Sequence, residues 1–141
     1  MRAVLQRAKR ASVTVEGRVT ASFERQGLVV LVGATHDDGP EQVETIARKI
    51  AELRVLSGEL SAADAQAPVI VVSQFTLYAD VRKGRRPSWN GAAPGPVAEP
   101  LVEAVVEALR ARGLEVGTGV FGAMMDVELV NDGPMTILLE A

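Results

Sequence analysis

Hydrophobic and polar residues alternate along most of the first third of the chain. The alternation runs through residues 1–8 and 11–16, and again through 19–23 after a glycine-containing turn. A continuous apolar run then occupies residues 28–32. Alternation with period two is typical of half-buried strands, and a short apolar run bounded by turns is typical of a fully buried one. Four strands at this spacing predict an antiparallel meander.

Two later segments carry apolar residues at helical spacing. One stripe begins at Val43 and continues to about residue 54, and the acidic residues Asp37 and Asp38 precede it as candidate N-caps. A second stripe covers about residues 97–112 and is followed by Gly113, a typical C-terminal stop. These segments predict the two main helices.

Closing strands are predicted at residues 114–116, 124–130 and 134–139, and a central one at residues 69–72. The pattern therefore predicts an α+β fold, in which two helices pack on roughly seven or eight strands. We expect a mostly antiparallel sheet curled toward a barrel, and a single domain over residues 1–141.

An unusual group of polar side chains follows the central strand. The run ending at Val72 is apolar and β-branched, whereas Ser73, Gln74 and Thr76 come next and are interleaved with aromatic and apolar residues such as Phe75. Polar groups at the end of a buried strand must find partners or cost about 1–3 kcal/mol each. A buried hydrogen-bonding network and a ligand site would both satisfy them, and the residues alone leave both interpretations open.

Composition restricts the chemistry that is available. The 141 residues include no cysteine and one histidine, His36. Thiol nucleophiles and thiolate metal sites are excluded, and a Ser-His-Asp triad is hard to build. His36 precedes the first helix and is interpreted as a residue of its capping loop rather than as a catalytic base. We therefore expect hydroxyls, amides, backbone groups or the substrate to carry the chemistry, without metal or cofactor.

The apolar runs are short. None approaches the ~20 residues that span a bilayer. The chain opens directly on strand-like sequence, with no signal-peptide pattern. We expect a cytoplasmic protein without a membrane partner.

The sharpest cluster of charge is basic, although the net charge is −3. Arg82, Lys83, Arg85 and Arg86 follow the central motif within five positions. Such a cluster is either a solvated loop or a set of phosphate contacts to a nucleic acid. The net acidic charge argues against indiscriminate nucleic-acid binding, and no DNA partner is expected.

Two motifs resemble those of one enzyme family. Ser73-Gln74-Phe75-Thr76-Leu77 matches the SQFTL motif of the D-aminoacyl-tRNA deacylases, and residues 131–136 (NDGPMT) match their NxGPxT motif. The similarity extends along nearly the whole chain. Two departures stand out: residues 57–68, predicted here as a loop, are shorter than the family's segment, and Trp89 replaces the family's phenylalanine.

The resemblance implies a homodimer that hydrolyses D-aminoacyl-tRNA, and also mischarged glycyl-tRNA, at two sites on the subunit interface. It implies a cis bond between Gly133 and Pro134, whose carbonyl oxygens reach into the partner's site and receive the substrate's α-amino group. A pocket wall of main chain would then exclude L side chains. Arg7 is implied to brace this dipeptide, although an exposed strand charge is the plainer interpretation of Arg7.

The resemblance also places the SQFTL residues at the scissile ester. Thr76 is the candidate nucleophile or orienting hydroxyl, Ser73 and Gln74 support it, and N–H groups near Phe75 and Thr76 are candidate oxyanion donors. A threonine hydroxyl needs an adjacent base to act as a nucleophile. The sequence offers none, so attack by water with help from the tRNA 2′-hydroxyl is favoured.

Two alternatives are retained. One is an editing module that acts on L-aminoacyl-tRNA. The other is a non-catalytic protein that binds RNA or nucleosides, for which the basic cluster would suffice.

Overall fold

A computed structural model describes all 141 residues. Six strands form one sheet around a long first strand, and three α-helices and one 3₁₀ turn complete the chain. The strands are β1 (Arg2–Val15), β2 (Arg18–Phe23), β3 (Gly27–Gly33), β4 (Val69–Ser73), β5 (Val116–Thr118) and β6 (Asp126–Glu140). The helices are α1 (Pro40–Glu52), α2 (Ala62–Ala65) and α3 (Gly95–Ala111), and the 3₁₀ turn is Phe75–Tyr78.

The sheet is of the expected kind. Strand β1 pairs antiparallel with β2, β3 and β6, whereas β3–β4 and β4–β5 are parallel. The far end of the sheet curls back toward β2, because Gly117 of β5 lies where a Cβ would come within 2.7 Å of the Ala21 Cβ. The α+β fold and the mostly antiparallel, barrel-like sheet are confirmed.

The predicted number of seven or eight strands is wrong, because the pattern divides each of two long strands into two and the structure has six. β1 continues through the two predicted segments, and Lys9 and Arg10 between them are exposed at a shift in its pairing with β6. Strand β6 likewise runs through Gly133 and Pro134. Bulges expose consecutive residues and break the alternation, so in the sequence they resemble turns.

Both main helices are confirmed, with a correction at the first N-terminus. Gly39, and not Asp37 or Asp38, is the N-cap of α1, and its N–H donates to Gln42 Oε1 at 2.9 Å. Asp38 instead accepts from the amino group of Met1 at 2.6 Å. Helix α3 ends just before Gly113, whose φ of +83° suits a residue without a Cβ.

The segment predicted as a loop, residues 57–68, contains the short helix α2. Ser61 caps this helix, because its hydroxyl accepts from Asp64 N and its own N–H donates to the Asp64 carboxylate, each at 3.0 Å. The capping box outweighed the Ala-, Ser- and Gly-rich composition that favoured a loop.

Two hydrophobic clusters meet at β4. On one face, Val69 and Val71 pack with apolar side chains of α1 and α3. On the other, Ile70 and Val72 pack inside the curled sheet with residues of β1 to β3. The strand is therefore buried on both faces, and the polar residues that follow it are held at a rigid end of the sheet.

Candidate functional site

Contacts with two neighbouring strands fix the turn that carries the SQFTL motif. Gln74 N donates to Val32 O at 2.7 Å, so the chain remains beside β3 as it leaves β4. Gly33 permits this approach, since a Cβ there would come within 2.7 Å of Gln74 O. Arg2 Nη1 donates to Leu77 O at 3.0 Å and anchors the other end of the turn on β1.

A cavity of about 620 Å³ opens beside this turn. Ser73, Gln74 and Phe75 line it, whereas Thr76 lies next to them without contributing to the lining. The rings of Phe75 and Trp89 meet edge to face, with centroids 5.3 Å apart. Both rings are largely exposed, at 54% and 43%. The cavity is therefore mostly apolar, with a polar strip along one side, an arrangement suited to a flat ring attached to polar groups.

Thr76 has one side-chain hydrogen bond, which Gln74 Nε2 donates to its hydroxyl at 2.5 Å. The donor is a neutral amide, so it orients the hydroxyl without being able to remove its proton. His36, in the loop before α1, is engaged elsewhere, since its Nε2 lies 2.8 Å from Asn90 O. Neither contact supplies Thr76 with a base.

The second motif forms a bulge opposite Arg7. Gln6 of β1 pairs with Thr136 of β6, and Ala8 pairs with Asn131. Residues 132–135 therefore lie opposite Arg7 alone. We call residues 132–135 the bulge. Asn131 Nδ2 joins the two ends of the bulge to β1, because it donates to Arg7 O at 3.0 Å and to Met135 O at 3.3 Å.

Gly133 and Pro134 lie in the bulge, are exposed, and are joined by a cis peptide bond. A Cβ added to Gly133 would meet no atom of its own chain within 4 Å. Arg7 donates to Gly133 O at 3.4 Å and to Asp132 O at 3.1 Å. The structure thus brings Arg7 into contact with the dipeptide.

Three further residues that sequence reasoning did not identify complete this cluster. The Asp132 carboxylate lies 3.3 Å from Arg7 Nε and accepts from Gln26 Nε2 at 2.8 Å. Gln26 also donates to the Ser57 hydroxyl at 2.9 Å and accepts from Ser57 N at 3.0 Å. Asp132 stands inside the second motif and was a detectable candidate. Gln26 and Ser57 lie in separate turns, and nothing local marks them.

The two motifs lie near opposite ends of the pairing between β1 and β3, which runs from Arg2 opposite Gly33 to Ala8 opposite Gly27. Arg2 contacts the SQFTL turn and Arg7 contacts the bulge, and both belong to β1. Five residues of extended strand place the Cα atoms of these two arginines about 17 Å apart. A single chain therefore does not bring Thr76 and Gly133 together.

The basic cluster lies on a loop closed by a bridge between Asp80 and Ser88, whose backbone groups exchange hydrogen bonds of 2.8 and 3.0 Å. The four cations are not equivalent. Arg82 donates to the Asp80 carboxylate at 2.7 and 2.9 Å, and these bonds lower the pKa of Asp80 to about 2. The other cations, Lys83, Arg85 and Arg86, are exposed and form no ion pair within the chain. They carry the cluster's unpaired charge.

The structure contains neither a cluster of metal ligands nor a membrane-spanning helix. No three His, Asp or Glu side chains lie close enough together to hold a metal ion. No helix has the length and apolarity needed to cross a bilayer.

Comparison with known sequences decides the family. The family model of D-Tyr-tRNA(Tyr) deacylase matches residues 4–140. The chain belongs to the D-Tyr-tRNA(Tyr) deacylase family. The D-aminoacyl-tRNA deacylase of Kineococcus radiotolerans is 69% identical over the whole of both chains, and that of Beutenbergia cavernae is 65% identical over the same span. The expected relationship to the deacylases, and with it the expectation of an enzyme, is confirmed.

Solved structures of similar shape agree with this deacylase fold. One described as "c-Myc DNA Unwinding Element Binding Protein" superposes with a TM-score of 0.91 at 41% identity, covering 100% of this chain and 99% of that one. Another, of a probable eukaryotic D-amino acid tRNA deacylase, gives a TM-score of 0.84 at 16% identity over 98% and 97% of the two chains, and supports the fold alone.

Proposed function

We propose that the protein hydrolyses the ester bond of D-aminoacyl-tRNA and releases free tRNA and the D-amino acid. The observation that carries the proposal is the cavity beside the SQFTL turn, where Ser73, Gln74 and Phe75 meet a largely apolar pocket. The aromatic pair Phe75 and Trp89 suits the adenine ring at the tRNA 3′ end. The esterified ribose then lies beside the polar strip.

The chemical step requires stabilisation of an oxyanion and a positioned nucleophile. The N–H groups of Phe75 and Thr76 begin the 3₁₀ turn and have no acceptor inside it. They are the donors for the oxyanion that forms when the ester carbonyl is attacked. Water is the nucleophile, helped by the substrate's 2′-hydroxyl, because Gln74 orients Thr76 without activating it.

The substrate's amino acid is held by a second subunit. The distance between the motifs within one chain favours a dimer in which the bulge of each subunit enters the partner's site. There the carbonyls of Gly133 and Pro134 accept hydrogen bonds from the substrate's α-amino group, and main chain fills the space that an L side chain would need. Glycine has no side chain to exclude, so mischarged glycyl-tRNA is a further substrate.

The basic loop attracts the tRNA. Phosphate contacts from Lys83, Arg85 and Arg86, and more weakly from the paired Arg82, add affinity without taking part in the chemistry. Such a substrate is met in the cytoplasm, where we expect the enzyme to work, without a cofactor.

One assay tests the proposal against both alternatives. The purified enzyme is given D-Tyr-tRNA and L-Tyr-tRNA, and binding of uncharged tRNA is measured in parallel. We expect fast release of D-tyrosine and slow release of L-tyrosine. Preference for the L ester would indicate an editing module for L-amino acids, and binding without hydrolysis would indicate a non-catalytic RNA-binding protein.

A further inference from the structure

We infer that Gln26, Asp132 and Ser57 are positioning residues for chiral selection, because they hold Arg7 and the bulge in one arrangement. The inference rests on the proposed function, in which the Gly133 carbonyl receives the substrate's amino group. It assigns a role to the shortened 57–68 segment, which reaches the site through Ser57.

The bulge needs such support because strand pairing does not hold it. Residues 132–135 have no partners across from them other than Arg7. The Gly133 carbonyl accepts from Arg7 Nη2 at 3.4 Å, a long hydrogen bond. A carbonyl oxygen has two lone pairs, so this bond leaves one lone pair for a ligand.

Arg7 is itself fixed by contacts on several sides. It donates to Val55 O at 2.9 Å and to Asp132 O at 3.1 Å, and its Nε lies 3.3 Å from the Asp132 carboxylate. Its side chain is only 13% exposed. The Asp132 carboxylate is the one charge among these partners, so it compensates the charge of the largely buried guanidinium, to which the carbonyls only supply hydrogen-bond acceptors.

Gln26 connects this ion pair to the body of the protein. Its amide nitrogen donates both to Asp132 Oδ2 at 2.8 Å and to Ser57 Oγ at 2.9 Å, while its oxygen accepts from Ser57 N at 3.0 Å. Every hydrogen-bonding group of the amide except one lone pair is therefore in use. Losing Gln26 would free the carboxylate, and Arg7 and the Gly133 carbonyl would shift with it.

Such a shift affects selection more than stability. Discrimination between the two hands of an α-carbon depends on where a wall of main chain stands, and a displacement of about 1 Å can cost as much as 100-fold in rate. The network lies at the surface edge of the fold, outside both hydrophobic clusters. We therefore expect its variants to fold.

The test compares Gln26→Ala and Asp132→Asn with a matched control, Gln66→Ala. The Gln66 amide bonds only to Ala63 O within its own turn, in the same segment as Ser57. We expect both network variants to lower the ratio of kcat/KM for D-Tyr-tRNA to that for L-Tyr-tRNA by about tenfold or more. Gln66→Ala should keep the wild-type ratio. An equal fall in kcat/KM for both substrates, or no fall for either, would overturn the inference.

A second measurement does not depend on activity. Hydrogen exchange of the Arg7 Nε–H, which donates to Asp132 O at 3.1 Å, should become faster in Gln26→Ala and stay at the wild-type rate in Gln66→Ala. An unchanged rate in Gln26→Ala would overturn the inference even in an active enzyme. Conversely, a wild-type chain that cannot hydrolyse D-Tyr-tRNA would refute the proposed function, while faster exchange in Gln26→Ala would still support the bracing network.

Discussion

Thr76 illustrates how far individual residues could be predicted. The sequence identified its hydroxyl as a candidate because it interrupts an apolar stretch, and the structure adds that its one side-chain partner is the amide of Gln74. Arg7 was identified only through the family resemblance, since an arginine on a strand is unremarkable by itself. Gln26 was missed because its partners, Asp132 and Ser57, are 106 and 31 residues away in the chain.

Replacing Thr76 with Ala tests orientation against covalent catalysis. If the hydroxyl only orients the substrate, the rate should fall roughly 10- to 1000-fold, the scale of a lost hydrogen bond or oxyanion donor. Single-turnover deacylation of D-Tyr-tRNA measures this. Trapping an aminoacyl ester on Thr76 of the wild-type enzyme would contradict the orienting role.

Gly133→Ala separates the folding of the chain from the assembly of the site. A Cβ at this position meets nothing within 4 Å in its own chain, so the free energy of unfolding measured at a concentration where the chain is monomeric should change little. Activity on D-aminoacyl-tRNA should fall at least tenfold, because the methyl group would occupy space next to the α-amino group. A fully active variant would show that nothing approaches Gly133 during catalysis.

Among the elements, strands with one buried face were the easiest to predict and bulges the hardest. The alternation in β1 was clear on both sides of Lys9 and Arg10, but two exposed neighbours in a strand have the same pattern as a turn. Only the partner strand β6 shows that the chain continues. The hairpin that carries the basic loop was likewise hidden, because its closing bridge, Asp80 to Ser88, is a contact between loop residues.

This loop predicts unequal effects of its cations. Lys83→Ala combined with Arg85→Ala should raise KM and flatten the salt dependence of tRNA binding, with kcat nearly unchanged. Arg82→Ala should do less, because Arg82 is already paired with Asp80. Measuring KM from low to high salt distinguishes the variants. A fall in kcat at saturating tRNA, with an unchanged salt slope, would place the loop in the chemistry instead.

The pKa of Asp80 sets the pH range over which Arg82 contributes less to tRNA binding than the unpaired cations. Hydrogen bonds from Arg82 hold that pKa at about 2, below the ordinary value, so the pair persists at neutral pH and is lost only as the pH falls toward 2. Asp80→Asn should therefore strengthen tRNA binding at neutral pH by releasing Arg82. Weaker binding by this variant would show that Asp80 acts by shaping the loop.

For the whole molecule, the sequence predicted the fold class because its hydrophobic periodicities are strong. The apolar run of β4, for example, is buried on both faces between the two hydrophobic clusters. It could not place the two motifs relative to each other. Their separation follows from their contacts with two positions of β1 that are five residues apart, Arg2 and Arg7. That relation depends on strand register, which single-strand patterns do not specify.

Light scattering tests the assembly that this separation favours. We expect the mass of a dimer, twice the 14.9 kDa of the chain, at concentrations where the enzyme is active. Dilution should reduce specific activity as the dimer dissociates. A monomer with full activity would contradict a shared site.

The separation of the motifs along β1 also has a genetic consequence. If each site takes Thr76 from one subunit and Gly133 from the other, a mixed dimer of Thr76→Ala and Gly133→Ala chains has one site with both lesions and one with neither. Two defective proteins, unfolded together and refolded as a mixture, should then recover about a quarter of the wild-type activity, since half of the dimers are mixed and each has one intact site. Two defective alleles expressed in one cell, one altered in the SQFTL turn and one in the bulge, would complement each other. Two alleles that are both altered in the same motif would not.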